Sequence, residues 1–193
     1  MSETERASTF AWQLLLIIAF PIHVWAILSA LYNANTVLGQ EGPGYYLGYV
    51  SYSLLFAALE SAFIFGVFWL MSRLIRPAFG QETRRGLIVA LFGIFCFWAL
   101  ADFAFSFAGL REVVLVQRFA KMVAASSTFA VVSLLVLIVV VILSVGGTTF
   151  AVLRSSTLAS RIFRAAQKVM VLSMVYLVVD IAGFVVVIIR NFP

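Results

Sequence analysis

The chain is short of the side chains that most chemistry requires. Only 11% of its residues are charged, against about a quarter in soluble domains, and it holds one histidine, His23, and one cysteine, Cys96. A lone cysteine inside an apolar run excludes an internal disulfide and a redox pair of thiols. One histidine excludes a haem held between two histidines, and with no acid or second histidine three or four positions away it gives no zinc-binding spacing. Phosphate-binding glycine loops and nucleophile elbows are missing too, since the pair Gly146-Gly147 lies in apolar sequence. The chain is therefore not expected to be an enzyme, and neither a cofactor nor a metal ion is expected.

What fills the chain instead is apolar, at 64% of residues against roughly 45 to 50% in soluble proteins. This composition defines an all-α, polytopic transmembrane bundle, and the loops are too short to hold a soluble core of their own. Five runs reach the roughly 20 residues that cross a bilayer as a helix, over 10–32, 46–72, 86–110, 126–150 and 169–189. Residues 1–193 thus read as a single integral membrane domain. Trp12, Tyr32 and the cluster Tyr45, Tyr46, Tyr49 and Tyr52 fall where interfacial aromatics belong. The polar start, Met1 to Ser8, lacks the basic residues and cleavage site of a secretory signal, so the first run is expected to be retained.

Several local features carry further expectations. Pro21 removes one backbone hydrogen bond in the middle of the first run and predicts a kink. Asn33 to Gly44, rich in Asn and Gly, reads as a loop. The run from Met122 to Leu153 is longer than a crossing needs, which predicts a tilt, an extension at Ala124 to Thr128, or a break at Gly146 and Gly147. Its interior, Val131 to Leu143, is aliphatic and suits a helix at the bundle edge. Arg161, Arg164 and Lys168 recur at helical spacing, as in a short interfacial helix.

Four ionisable groups lie inside the apolar runs: His23, Glu60, Asp102 and Asp180. A carboxylate at mid-bilayer costs roughly 2.5 to 3.5 kcal/mol, so such a group is expected to face other helices or a wet cavity. Glu60 sits almost at the midpoint of its run, with Ser53 and Ala57 on its face. Ala58, Ala62 and Gly66 repeat at every fourth position, the spacing that lets helices approach closely. Ser106 accompanies Asp102, while Ser173, Tyr176 and Gly183 share the face of Asp180. If these helices adjoin, the three acids converge, with His23 as a fourth candidate. The chain then reads as a small transporter or channel for protons or small cations. The alternative is a non-catalytic accessory or assembly subunit, a homo-oligomer or a partner of other membrane chains, in which each acid is a hydrogen-bonded clamp paired with His23, Tyr176 or a backbone carbonyl.

The net charge of +5 does not point to nucleic acid, because the basic residues collect beside the membrane spans. Arg73, Arg76, Arg84, Arg85, Arg161, Arg164 and Lys168 fit anionic lipid headgroups. With five spans, nine lysines and arginines fall on the side of the N-terminus and four on the other. The positive-inside rule then places the N-terminus in the cytoplasm and the C-terminus outside, in a cell or inner membrane. In a Cys96→Ser background, a cysteine introduced at Gly39 is expected to react with a membrane-impermeant maleimide in intact cells, and one at Gln167 only after permeabilisation; the reverse pattern inverts the topology.

Overall fold

The computed structural model describes residues 3–75, 79–106 and 114–191; the side chains of 3–7, 102–106 and 114–115 are outside that description. Among the described residues seven helices follow one another: α1 (Glu3–Glu41), α2 (Pro43–Leu74), α3 (Gln81–Ser106), α4 (Val114–Ala125), α5 (Ser127–Arg154), α6 (Ser156–Gln167) and α7 (Met170–Asn191). No strand occurs among the described residues. Five of the helical stretches are long and apolar enough to cross a bilayer, those of α1, α2, α3, α5 and α6–α7. The all-α bundle expected from composition is the observed fold.

The segment read as the first loop is not one. α1 continues to Glu41 and turns at a single residue, Gly42, whose φ of 83° suits glycine, and Pro43 then opens α2 at a position where no N–H is needed. Asn33 belongs to this extended helix because its amide is engaged, donating to Ser29 O at 2.9 Å and to Tyr49 Oη at 3.3 Å, while the Tyr46 hydroxyl donates to Ala30 O at 3.2 Å. Tertiary partners override the low helix propensity of Asn and Gly here.

Of the three outcomes expected for the long fourth run, the break at Gly146 and Gly147 does not occur, and the run is divided instead at Ser126. α4 stops at Ala125, Ser126 caps α5 by accepting from Phe129 N at 3.3 Å, and α5 passes unbroken through Gly146 and Gly147. α5 is the bundle's edge: Val131, Val132 and Leu134 to Val140 are all exposed. The short helix expected around Arg161 and Arg164 is α6, which buries Ala159 and Phe163.

Two packing regions result. At the end where α1 begins, Leu14, Ile17, Ile18, Phe68, Ile88, Val89, Phe92 and Phe163 form one core drawn from α1, α2, α3 and α6. α3 and α6 meet there at backbone distance: a Cβ on Gly86 would lie 2.5 Å from the Ala159 carbonyl oxygen. Toward the other end α7 packs against both α1 and α2. It runs parallel to α1 and antiparallel to α2, since Gly183 lies against Ser51 while Arg190 reaches Gly44 O at 3.2 Å.

The Gly86 contact gives a stability test. Gly86→Ala is expected to lower the stability of the purified protein by about 1 to 3 kcal/mol, the usual range for overpacking, in detergent unfolding. Gly147→Ala, with nothing within 4 Å of its Cβ, is expected to leave stability unchanged or raise it.

Candidate functional site: a buried polar seam between α1 and α7

α7 presents polar and small residues to the bundle and aliphatic ones to its surroundings. Ser173, Asp180 and Gly183 are buried, whereas Val171, Leu172, Val175, Val178, Ile181 and Phe184 are exposed. The buried positions lie seven and three residues apart, so they form one stripe. On α1 the facing positions surround Pro21. The Ser173 hydroxyl donates to Leu16 O at 2.6 Å, and seven residues further along both helices Asp180 meets His23. The two contacts have equal sequence offset, which fixes the parallel register.

Pro21 leaves Ile17 O without its usual amide partner, yet α1 runs through it unbroken. The carbonyls on either side of Ile17 take extra donors: Leu16 O from Ser173, and Ala19 O from His23 Nδ1 at 2.8 Å. Both donors go to neighbouring carbonyls and not to Ile17 O itself.

The protonation of the pair follows from its partners. Ala19 O can only accept, so Nδ1 carries a proton. Nε2 then lies 2.9 Å from one oxygen of Asp180 and 3.1 Å from the other, the geometry of one N–H shared between two carboxylate oxygens. Imidazolium with carboxylate, or neutral imidazole with a protonated acid, both satisfy these contacts with zero net charge and one proton in the bridge. Removing that proton leaves a bare negative charge in a site where His23 is 0% and Asp180 9% exposed. Tyr176 covers the imidazole, its ring stacked at 5.6 Å between centroids and 6° between planes.

The other residues expected at a site are placed differently. Glu60 does not turn inward. It is exposed, with Phe56 and Phe63 one turn to either side and no hydrogen-bond or ion-pair partner among the described residues. The inner face of α2 is instead Gly48, Ser51, Leu54, Ala57, Ser61, Phe68 and Ser72. Of the small stripe expected to pack, Ala58 is half-buried and Ala62 and Gly66 are exposed, with nothing within 4 Å of a Cβ on Gly66. Ser53 serves its own helix, donating to Tyr49 O at 2.9 Å. The side chains of Asp102 and Ser106, and Arg76, lie outside the described residues. Among the described residues no group of three His, Cys, Asp or Glu could hold a metal ion.

Sequence reasoning missed the two carbonyls, Leu16 O and Ala19 O, that anchor the seam, since no side-chain pattern marks a backbone acceptor. It also missed the inner face of α2, which the spacing of Gly48, Ser51, Ala57, Ser61 and Ser72 could have given. The protein so described is a helical membrane protein with a proton-bridged pair sealed between its first and last helices. Comparison with known proteins adds no relative: no family model, no curated protein and no solved structure matches the chain.

Asp180→Leu leaves Nε2 of His23 facing apolar surface and is expected to cost about 1 to 3 kcal/mol of stability. Asp180→Asn keeps a donor toward that nitrogen and is expected to cost less, and His23→Leu combined with Asp180→Leu to recover part of the loss. Leu and Asn variants of equal stability in detergent unfolding would remove the hydrogen-bond account of the seam.

Proposed function

We propose that the chain is a non-catalytic structural subunit of a larger membrane assembly, made with copies of itself or with other membrane chains, in which the outer face of α2 meets another helix. One observation carries this reading. Glu60 stands near the middle of a 32-residue helix, on an exposed face formed with Phe56 and Phe63, where the side chains are 68% and 73% exposed. A carboxyl group left facing lipid at that depth costs roughly 2.5 to 3.5 kcal/mol. A neighbouring helix with a hydrogen-bonding group offsets part of that cost, and polar contacts between membrane helices contribute about 0.6 to 2 kcal/mol.

A path for protons or small cations through the acids has less support. Asp180 is engaged by His23 and faces α1, whereas Glu60 faces away from the bundle, so the two point to different surroundings. The seam acts as the clamp that holds α1 to α7, leaving α2 free to present its outer face. Short loops and an edge helix as exposed as α5 also suit a chain surrounded by lipid and other helices.

The test is the assembly state in lipid discs, measured by native mass spectrometry. The wild-type chain is expected above its monomer mass or bound stoichiometrically to another chain. Glu60→Gln, which keeps a donor and an acceptor, is expected to preserve the association. Glu60→Leu is expected to weaken it about three- to thirty-fold, the range those contact energies imply. A monomer throughout, or a liposome proton flux that Glu60→Gln abolishes, would sink the reading.

A further inference from the structure

A groove of about 1090 Å³ runs along α5 from Ala130 to Val145, with Leu91, Phe95 and Trp98 of α3 as its other wall. At 1.5 Å per residue it is about 22 Å long. Phe68 and Met71 of α2 line its deep end, while Phe119 and Val123 of α4 stand at its mouth, beside the start of α5. α4 is held there by Phe119 against Phe129 of α5, with 5.6 Å between ring centroids. Two residues of the lining carry polar groups. The Trp98 indole is spent on Ser144 Oγ at 3.2 Å. The Ser133 hydroxyl has no hydrogen-bond partner among the described residues, whereas Ser144 on the same helix donates to Val141 O at 2.8 Å.

One free hydroxyl does not hold water in such a groove, because an ordered water needs about two to four polar partners. Hydrocarbon fills it instead. The depth of Ser133 decides which part of a lipid it meets. α4 turns Phe119 and Val123 to the groove and leaves Gln117, Arg118 and Lys121 exposed, the pattern of a helix lying in the membrane interface. Ser133 is six residues past Ser127, the first residue of α5, which is about 9 Å along the helix. The interfacial layer is about 5 to 8 Å thick, so the hydroxyl stands just beneath it, at the level of a lipid's ester carbonyls. From Ser133 to Val145 is about 18 Å, close to the roughly 15 Å that the chains of one leaflet fill. Arg118 and Lys121 select the headgroup. Neither has a hydrogen-bond, ion-pair or ring partner among the described residues, and neither α4 nor α5 carries an acid. Free cations at headgroup depth suit a phosphate.

We propose that the groove binds one anionic phospholipid, with an acyl chain lying along α5, an ester carbonyl accepting from Ser133 and the phosphate beside Arg118 and Lys121. The site uses no part of the Glu60 face and stands independently of the assembly role of α2.

The full chain is purified into phosphatidylcholine discs containing a minority of phosphatidylglycerol, and the lipid it retains is read by native mass spectrometry. The wild type is expected to keep one phosphatidylglycerol per chain in preference to phosphatidylcholine. Arg118→Gln and Lys121→Gln are each expected to weaken that retention about fivefold, the effect of one cation near a membrane surface. Ser133→Ala is expected to weaken it about two- to tenfold, as loss of a neutral hydrogen bond does. Leu137→Trp fills the groove while keeping both cations, and is expected to abolish retention; Leu137 is exposed, so the fold tolerates the larger ring. Leu135→Trp, on the same helix but outside the groove, is expected to have no effect. Equal losses in Leu135→Trp and Leu137→Trp would deny the groove a role, and a loss in Arg161→Gln as large as in Arg118→Gln would reduce the effect to general surface charge. Either result, or equal retention of the two lipids by the wild type, overturns the proposal.

Discussion

A polar side chain inside a membrane has no water to fall back on, and the bond between His23 and Asp180 is how this chain meets that constraint. The two residues are 157 positions apart, on the first and last helices, so their contact closes the chain on itself. Ser173 on Leu16 O repeats the contact two turns away and sets the register. Two polar contacts on one stripe leave α7 little freedom to rotate, because any turn about its axis would leave His23 or Leu16 O facing hydrocarbon. The rest of the bundle can then be assembled by shape alone, as the apolar core of Leu14, Ile18, Ile88 and Phe92 is.

Around that clamp the helices divide their labour. α2 packs on α1 and α7 through Gly48, Ser51, Ala57 and Ser61, small residues that allow close approach, and keeps its bulky side for the exterior, where Glu60 stands among phenylalanines. α5 contributes mainly lipid-facing surface, joined to α3 by the Trp98 indole donating to Ser144 Oγ at 3.2 Å. The basic residues gather where α6 lies against α3. Arg84 closes the end of α2 by donating to Ser72 O at 2.9 Å, and Arg85 lies against two aromatic rings. That end is organised around arginines held by specific partners, which distinguishes it from a loose basic fringe.

Composition and run length determined the class and the architecture: helices that satisfy their own backbone are the only economical way to carry so apolar a chain of this length across a membrane. The edge position of α5 was legible too, because a purely aliphatic stretch such as Val131 to Leu143 has nothing to bond to inside. The face of α7 was readable from the spacing of Ser173, Tyr176, Asp180 and Gly183, since its polar and apolar sides differ. Helix direction in α2 was not readable in the same way. Both sides of that helix are apolar, so hydrophobicity cannot tell lipid from core, and the acid was assigned inward where the structure turns it outward.

The sequence by itself therefore decided which segments form helices long and apolar enough to cross a bilayer, and which few residues carry charge within those apolar runs. Only the tertiary structure decided which of them meet. His23 pairs with Asp180 while Glu60 has no partner among the described residues, because partner choice depends on the rotation and register of helices far apart in the chain. Those are fixed by contacts such as Gly86 on Ala159 and Ser173 on Leu16 O, which no local pattern of residues encodes.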